Sequence, residues 1–230
     1  MCGRFVQYRS GEDLEAQFGA SFDGAWLPPR YNIAPGSQLL AVRADSAGTR
    51  TFTTLHWGLI PPWAKDRKIG YRTSNARAET VAEKPSFRAA FRQRRCLIPA
   101  DGFYEWQATN SGKQPYFHTR QDRQPFAFAG LWESWTDPAS GERLASATII
   151  VTDANELVRA IHDRMPVILS PLEYGVWLDP TLTRVESLTP LLQPCDPALL
   201  MAYPVDRRVN KPSEDDASLL DPLDAPGQLG

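Results

Sequence analysis

The chain has 230 residues, 42% hydrophobic and 23% charged, with a formal net charge of -2. That is enough apolar material for one well-buried domain, and it excludes a globally disordered chain. No run of about eighteen apolar residues occurs, which argues against a transmembrane helix, and the opening Met-Cys-Gly-Arg-Phe-Val-Gln-Tyr lacks the basic-then-apolar order of a secretory signal.

Residues 4–8 alternate apolar and polar side chains and predict a short strand. Ser10 and Asp13 resemble a capping box opening a helix over 12–18. Residues 26–36 carry three prolines and read as a loop. Strands are expected over 38–43 and 51–57, joined by a turn at 45–48. Residues 58–75 are irregular, with Pro61, Pro62 and Gly70, and a loop of that length in a compact domain is usually functional. Residues 86–94 predict a helix with Phe87, Ala90 and Phe91 on one face and arginines on the other. Strands follow over 96–99, 102–107, 116–120 and 126–135, with Asn110-Ser111-Gly112 as a hairpin turn. A buried strand over 147–152, a helix over 155–161, a strand over 167–169, helices over 172–178 and 183–192 and a last strand over 201–205 complete the pattern. It predicts a single α+β domain over 1–209, a twisted antiparallel β-barrel-like core with peripheral helices. Residues 210–230 read as a disordered, acidic, Pro/Gly-rich tail.

Cys2, Cys96 and Cys195 are odd in number and widely spaced, so they make no disulfide framework and no CxxC motif. His56, His118 and His162 are scattered without metal-ligand spacing. The expectation is a reducing, cytoplasmic compartment, no metal and no cofactor. Charge is uneven: residues 1–135 hold 18 Lys+Arg against 12 Asp+Glu, and residues 136–230 hold 7 against 15. Within residues 65–95 ten basic side chains face three acidic ones, a stripe that could follow a polyanionic strand or be only a solvated face.

Five positions carry chemistry. Cys2 is small enough for Met1 to be removed, which would put an α-amine of pKa roughly 7.7–8.0 and a thiol on one residue. Such a residue can trap an aldehyde as an imine and close a thiazolidine, or serve as an N-terminal nucleophile; the plainer reading is a buried, inert cysteine. Along the strand Gly102-Phe103-Tyr104-Glu105-Trp106, Glu105 shares a face with Phe103, where burial would raise its pKa and suit it to proton transfer. The alternative there is an edge glutamate facing water. His162 follows a helix in His162-Asp163-Arg164-Met165-Pro166 and could shuttle protons or simply lie on the surface. Asn75 offers an amide and Arg77 a fork suited to phosphate, unless both only open a helix. Around Trp57-Gly58-Leu59-Ile60-Pro61-Pro62-Trp63, tryptophans precede Lys65, Arg67 and Lys68, a composition found where single strands stack; Trp57, inside a strand, fits the core.

Taken together and in order, these segments resemble the SOS response-associated peptidase (SRAP) family. The matching stretches are Met1-Cys2-Gly3-Arg4-Phe5, Tyr31-Asn32-Ile33-Ala34-Pro35-Gly36, the Trp57–Trp63 heptapeptide, Asn75-Ala76-Arg77-Ala78-Glu79-Thr80, Cys96-Leu97-Ile98-Pro99-Ala100-Asp101 running on to Trp106, the His162 segment and Val209-Asn210. The resemblance implies a β-barrel-like α+β domain that recognises abasic sites in single-stranded DNA. It also implies a covalent thiazolidine crosslink through Cys2. By the same resemblance Asn75, Glu105 and His162 are active-site residues, Arg4 and Arg77 grip phosphate, and Trp63 wedges against bases. Gly3, Asn32, Pro35, Trp106, Thr152 and Arg164 fall at DNA-binding positions. The expected partner is single-stranded DNA bound by a monomer, without a membrane. Two other readings remain: a cysteine peptidase that removes its own Met1, with Cys2 as nucleophile, and a non-covalent single-strand-binding module.

Overall fold

The computed structural model describes residues 2–223. The expected loss of Met1 and the part of the expected tail over 224–230 lie outside the described residues. The strands are β1 (Arg4–Gln7), β2 (Arg30–Ile33), β3 (Gln38–Ala44), β4 (Arg50–Trp57), β5 (Asn75–Arg77), β6 (Arg95–Ala100), β7 (Gly102–Thr109), β8 (Gly112–Arg120), β9 (Phe126–Thr136), β10 (Arg143–Asp153), β11 (Arg164–Pro166), β12 (Ile168–Leu169) and β13 (Leu200–Pro204). Five short helices accompany them: α1 (Gly11–Phe18), α2 (Arg88–Gln93), α3 (Glu156–Arg159), α4 (Tyr174–Leu178) and α5 (Val185–Leu188). Among the described residues no helix is long and apolar enough to cross a membrane.

Strands β4, β3, β6, β9 and β10 pair antiparallel in that order. A parallel contact of β10 with β4, Ser146 opposite His56 and Ala147 opposite Trp57, closes them into a five-stranded barrel. The short strands β5 and β11 extend β10, and β12 extends β9. A second sheet runs β13-β8-β7-β1-β2.

Successive side chains of the barrel strands point to opposite faces, so each strand feeds two apolar clusters. Leu40, Val42, Phe52, Leu97 and Leu131 pack with Leu14 and Phe18 of α1, Phe91 of α2 and Trp177 of α4. Leu39, Ala41, Leu55, Trp57, Ile98 and Ile149 pack instead with Cys2, Phe5, Ile33 and Phe103 of the second sheet. Burial on both faces explains the continuous apolar runs in β3, β6 and β10. The chain is therefore the α+β, barrel-like fold its pattern predicts.

Several local expectations hold for the reasons given. Ser10 caps α1 by accepting the Asp13 N–H at 3.2 Å, and Gly19 ends it in the left-handed conformation at φ 57. Asn110-Ser111 links Thr109 to Gly112, whose φ of 110 suits glycine.

Two expectations fail. The loop predicted over 26–36 contains β2: Pro28, Pro29 and Pro35 flank the strand rather than interrupt it, which an edge strand tolerates. The tail is ordered as far as it is described. Residues 210–223 include a 3-10 turn, Ala217–Leu220, that buries Leu219 completely beside Val6, Tyr104, Phe117 and Val209. The Asp215 carboxylate accepts the Asn32 backbone N–H at 2.9 Å. Average composition predicted disorder, but one leucine and one carboxylate with preformed partners are enough to fasten the segment.

Candidate active site

The site begins with the β1–β7 ladder. Arg4 lies opposite Tyr104 and Phe5 opposite Phe103. Cys2, two residues before β1, packs with Phe103 of β7 and feels the charge of Glu105 on the same strand. Cys2 is fully buried among Phe5, Trp57 and Phe103. Burial, reinforced by the nearby Glu105 charge, pushes its thiol far above the ordinary range, so the sulfur is protonated at neutral pH and needs a base before it can attack.

Glu105 lies on the Phe103 side of β7, as the strand alternation predicts, and only 2% of it is exposed. Burial pushes its carboxyl up to about 7, helped by the neighbouring Asp163 charge. A carboxyl poised there can take and return a proton at physiological pH.

His162 stands just beyond α3. Its Nε2 is 3.9 Å from Glu105 Oε2, and its Nδ1 accepts the Arg164 backbone N–H at 3.0 Å. Partial burial lowers its pKa, which favours the neutral ring at pH 7, and Nε2 is the nitrogen nearer Glu105. Asp163 Oδ1 also approaches Nδ1 at 3.0 Å from the exposed side.

Asn75 opens β5, opposite Ile149 of β10. The preceding carbonyl, Ser74, accepts the Trp57 indole N–H at 2.9 Å and the Ile149 N–H at 3.1 Å, which fixes this backbone against the Cys2 cluster. The Asn75 amide nitrogen is buried and has no hydrogen-bond partner among the described residues. A buried donor left so is costly unless a ligand oxygen meets it.

The remaining expected positions divide. Trp63 is 58% exposed on the long loop, and Arg77 is exposed at the end of β5. Gly3 and Pro35 are half-buried, and Thr152 is buried opposite Met165. Arg164 is ion-paired with Glu79 and lies 3.4 Å from Asp153, so a phosphate there would compete with two carboxylates.

Arg4 and Asn32 both hold the C-terminal segment. Arg4 donates to Asn32 Oδ1 at 2.8 Å, to the Val209 carbonyl at 2.6 Å and to the Asn210 carbonyl at 3.3 Å. Asn32 is 1% exposed, and its amide faces the carbonyls of Val209, Lys211 and Glu214 at 3.2, 3.0 and 2.7 Å. An amide so enclosed does not reach a phosphate. The basic stripe is likewise shortened at its end: Arg95 is buried and donates to the Phe91, Arg92 and Trp177 carbonyls, and Arg94 pairs with Glu133 at 2.8 Å.

Glu105, Trp106 and His162 line a cavity of about 400 Å³ together with Lys113 and Asn210. Sequence reasoning missed the last two as site residues. Asn210 stood in a matching stretch but was assigned to the tail, and nothing local says that the β7–β8 hairpin carries Lys113 to the cavity. Among the described residues no group of three or more His, Cys, Asp or Glu side chains could hold a metal ion.

Residues 1–212 match the family described as SOS response associated peptidase (SRAP). The chain belongs to the SRAP family. It is 46% identical over 224 residues to the Bacillus subtilis abasic site processing protein YoaM, covering 96% of this chain and 98% of that one. It is 30% identical over 229 residues to the Escherichia coli abasic site processing protein YedK, covering 97% and 100%. It is 36% identical over 197 residues to the Xenopus tropicalis abasic site processing protein HMCES, covering 71% and 58%. The fold also resembles an X-ray crystal structure of a protein from Bacteroides thetaiotaomicron, with a TM-score of 0.88 and 28% identity over 96% of this chain and all of that one. This SRAP chain thus matches relatives named for abasic-site processing along most of its sequence, and Cys2, Glu105 and His162 all lie inside the residues of the family match.

Proposed function

We propose that this SRAP protein captures abasic sites in single-stranded DNA as a covalent thiazolidine at Cys2. The observation that supports this most is a buried thiol set beside a carboxyl poised near pH 7, with a neutral imidazole 3.9 Å from that carboxyl. The names of the relatives add the lesion.

The chemistry balances without a cofactor. Once Met1 is removed, the Cys2 amine has a pKa of roughly 7.7–8.0 and is partly neutral. Glu105, protonated, gives its proton to the ring oxygen as the abasic sugar opens to its aldehyde, while the anomeric hydroxyl releases its proton to solvent. The amine adds to the aldehyde carbon, and the carbinolamine loses water to leave an imine. The thiol sulfur then adds to the imine carbon, its proton passing by way of the Glu105 carboxylate to the nitrogen. The net result is aldehyde plus aminothiol giving thiazolidine plus water. His162 serves the sugar hydroxyl or the departing water from Nε2, and Asn75 offers its amide hydrogens to a sugar oxygen. Ring closure consumes the imine before it can promote strand cleavage by β-elimination. Trp63 and Arg77 guide the strand towards the site.

Intact-mass measurement before and after incubation with abasic single-stranded DNA tests the reading. The expected result is a protein lacking Met1 that gains the mass of the oligonucleotide less one water. Cys2→Ala should lose the adduct and keep its affinity for the strand. An adduct that persists in Cys2→Ala, or forms on a chain retaining Met1, overturns the mechanism. Loss of Met1 in an aminopeptidase-free preparation, without any adduct, would favour the peptidase.

A further inference from the structure

The β7–β8 hairpin and the C-terminal segment meet at the mouth of the Glu105–His162 cavity, and each supplies one polar side chain with no role so far. Lys113 is the second residue of β8 and lies directly opposite Ala108. Directly opposed residues share a sheet face, so Lys113 stands on the Trp106 side of the hairpin, fully in solvent's reach. Asn210 ends the turn Arg207–Asn210 and is exposed. Its Oδ1 accepts the Trp106 indole N–H at 2.6 Å, which orients the amide and leaves its two N–H donors for another partner.

Asn210 is held in place. Arg4 and Asn32 bind the carbonyls of Val209, Asn210, Lys211 and Glu214. Arg207 reaches the Ser111 carbonyl at 3.4 Å and its hydroxyl at 3.3 Å, tying the segment to the hairpin tip two residues before Lys113. A donor on an exposed 3-10 turn is ordinarily mobile; these seven hydrogen bonds, with the Trp106 bond, make this one a preorganised group.

An abasic nucleotide has no base to recognise. The phosphodiesters on either side of its sugar are the only charged handles it offers. A cationic donor and a fixed neutral donor at the rim of the cavity suit one such diester oxygen pair. We infer that Lys113 and Asn210 form a subsite that grips the phosphodiester adjoining the lesion sugar, with Arg4 and Asn32 as the residues that position it. The inference rests on the proposed function and names the part of the strand held at that same site.

The test is single-turnover crosslinking of Lys113→Ala, Lys113→Arg and Asn210→Ala against increasing concentrations of an abasic oligonucleotide, at several salt concentrations. Lys113→Ala should raise the half-saturating concentration about fivefold, the scale of a solvated ion pair. Its rate at saturation should stay within twofold of wild type. Its salt slope should flatten by about 0.7, and Lys113→Arg should restore that slope. Asn210→Ala should raise the half-saturating concentration while leaving the slope unchanged, because no charge is lost. Wild-type curves for both alanine variants would overturn the subsite, as would a lower saturating rate at unchanged half-saturation. Affinity for the undamaged strand, measured alongside, reads the Lys113 contact even where wild type forms no adduct. That result separates failure of the subsite from failure of the crosslinking chemistry.

Discussion

Glu105→Gln should make the protein more stable at pH 8 while abolishing fast crosslinking. Glu105 is 2% exposed, and burial raises its carboxyl from 4.5 to about 7. The folded state therefore holds the proton more tightly than the unfolded chain does. With the raised pKa, the folded protein suffers no penalty below pH 4.5. The penalty grows between pH 4.5 and 7, where the unfolded chain has ionised and the folded one has not, and it is complete above pH 7. A shift of about 2.5 units corresponds to about 3 kcal/mol. Glutamine keeps the shape and removes the charge, so the variant should exceed wild type by under about 1 kcal/mol at pH 5 and by about 3 kcal/mol at pH 8. Urea denaturation of both proteins at the two pH values reads the difference, and the subtraction cancels other groups such as Asp101 and His118. Crosslinking should slow by about 10²–10⁴, the usual contribution of a positioned proton-transfer group. Equal stability differences at pH 5 and pH 8, together with an unchanged crosslinking rate, would refute the assignment of Glu105 as a buried, titrating acid–base group.

Asn75→Ala removes an amide nitrogen that has no partner among the described residues, so it should cost under about 1 kcal/mol in stability yet slow crosslinking at saturating DNA; a variant that melts much earlier and crosslinks normally would make Asn75 structural. Asn32→Ala strips the clasp from the Val209, Lys211 and Glu214 carbonyls and one acceptor from Arg4. It should destabilise the protein by about 2–4 kcal/mol and raise amide hydrogen exchange over 205–220 ahead of the barrel, and unchanged protection there would count against the clasp.

The buried thiol, the raised carboxyl and the neutral imidazole come from three distant stretches, and each depends on a different kind of structural information. The strand character of residues 102–107 was legible because alternation is local, and alternation alone placed Glu105 with Phe103 rather than with Tyr104. The helix after Ser10 and the turn at Asn110-Ser111 were legible for the same reason: a cap and a two-residue hairpin loop are set by neighbours in the chain. The segments quoted for Cys2, Asn75, Glu105 and His162 were legible as motifs, though their proximity was not.

Tertiary structure decided what local composition misread. Arg4, which the resemblance sets at a phosphate, also holds Asn32 and the C-terminal carbonyls, and Arg95, counted in a basic surface stripe, is buried under α4. Residues 210–223, expected to be disordered, are ordered by Leu219 and by partners 180 or so positions earlier, such as Asn32. An arginine's task depends on which acceptors the fold brings within reach, and a polar segment's order depends on whether preformed partners await its few apolar and acidic groups. Residue types and short-range spacing settled which chemistry this chain can carry. Long-range pairing of β1 with β7, and of the C-terminal segment with both, settled where that chemistry sits, because only closure of the sheets brings Cys2 near Glu105 and sets Asn210 against Trp106.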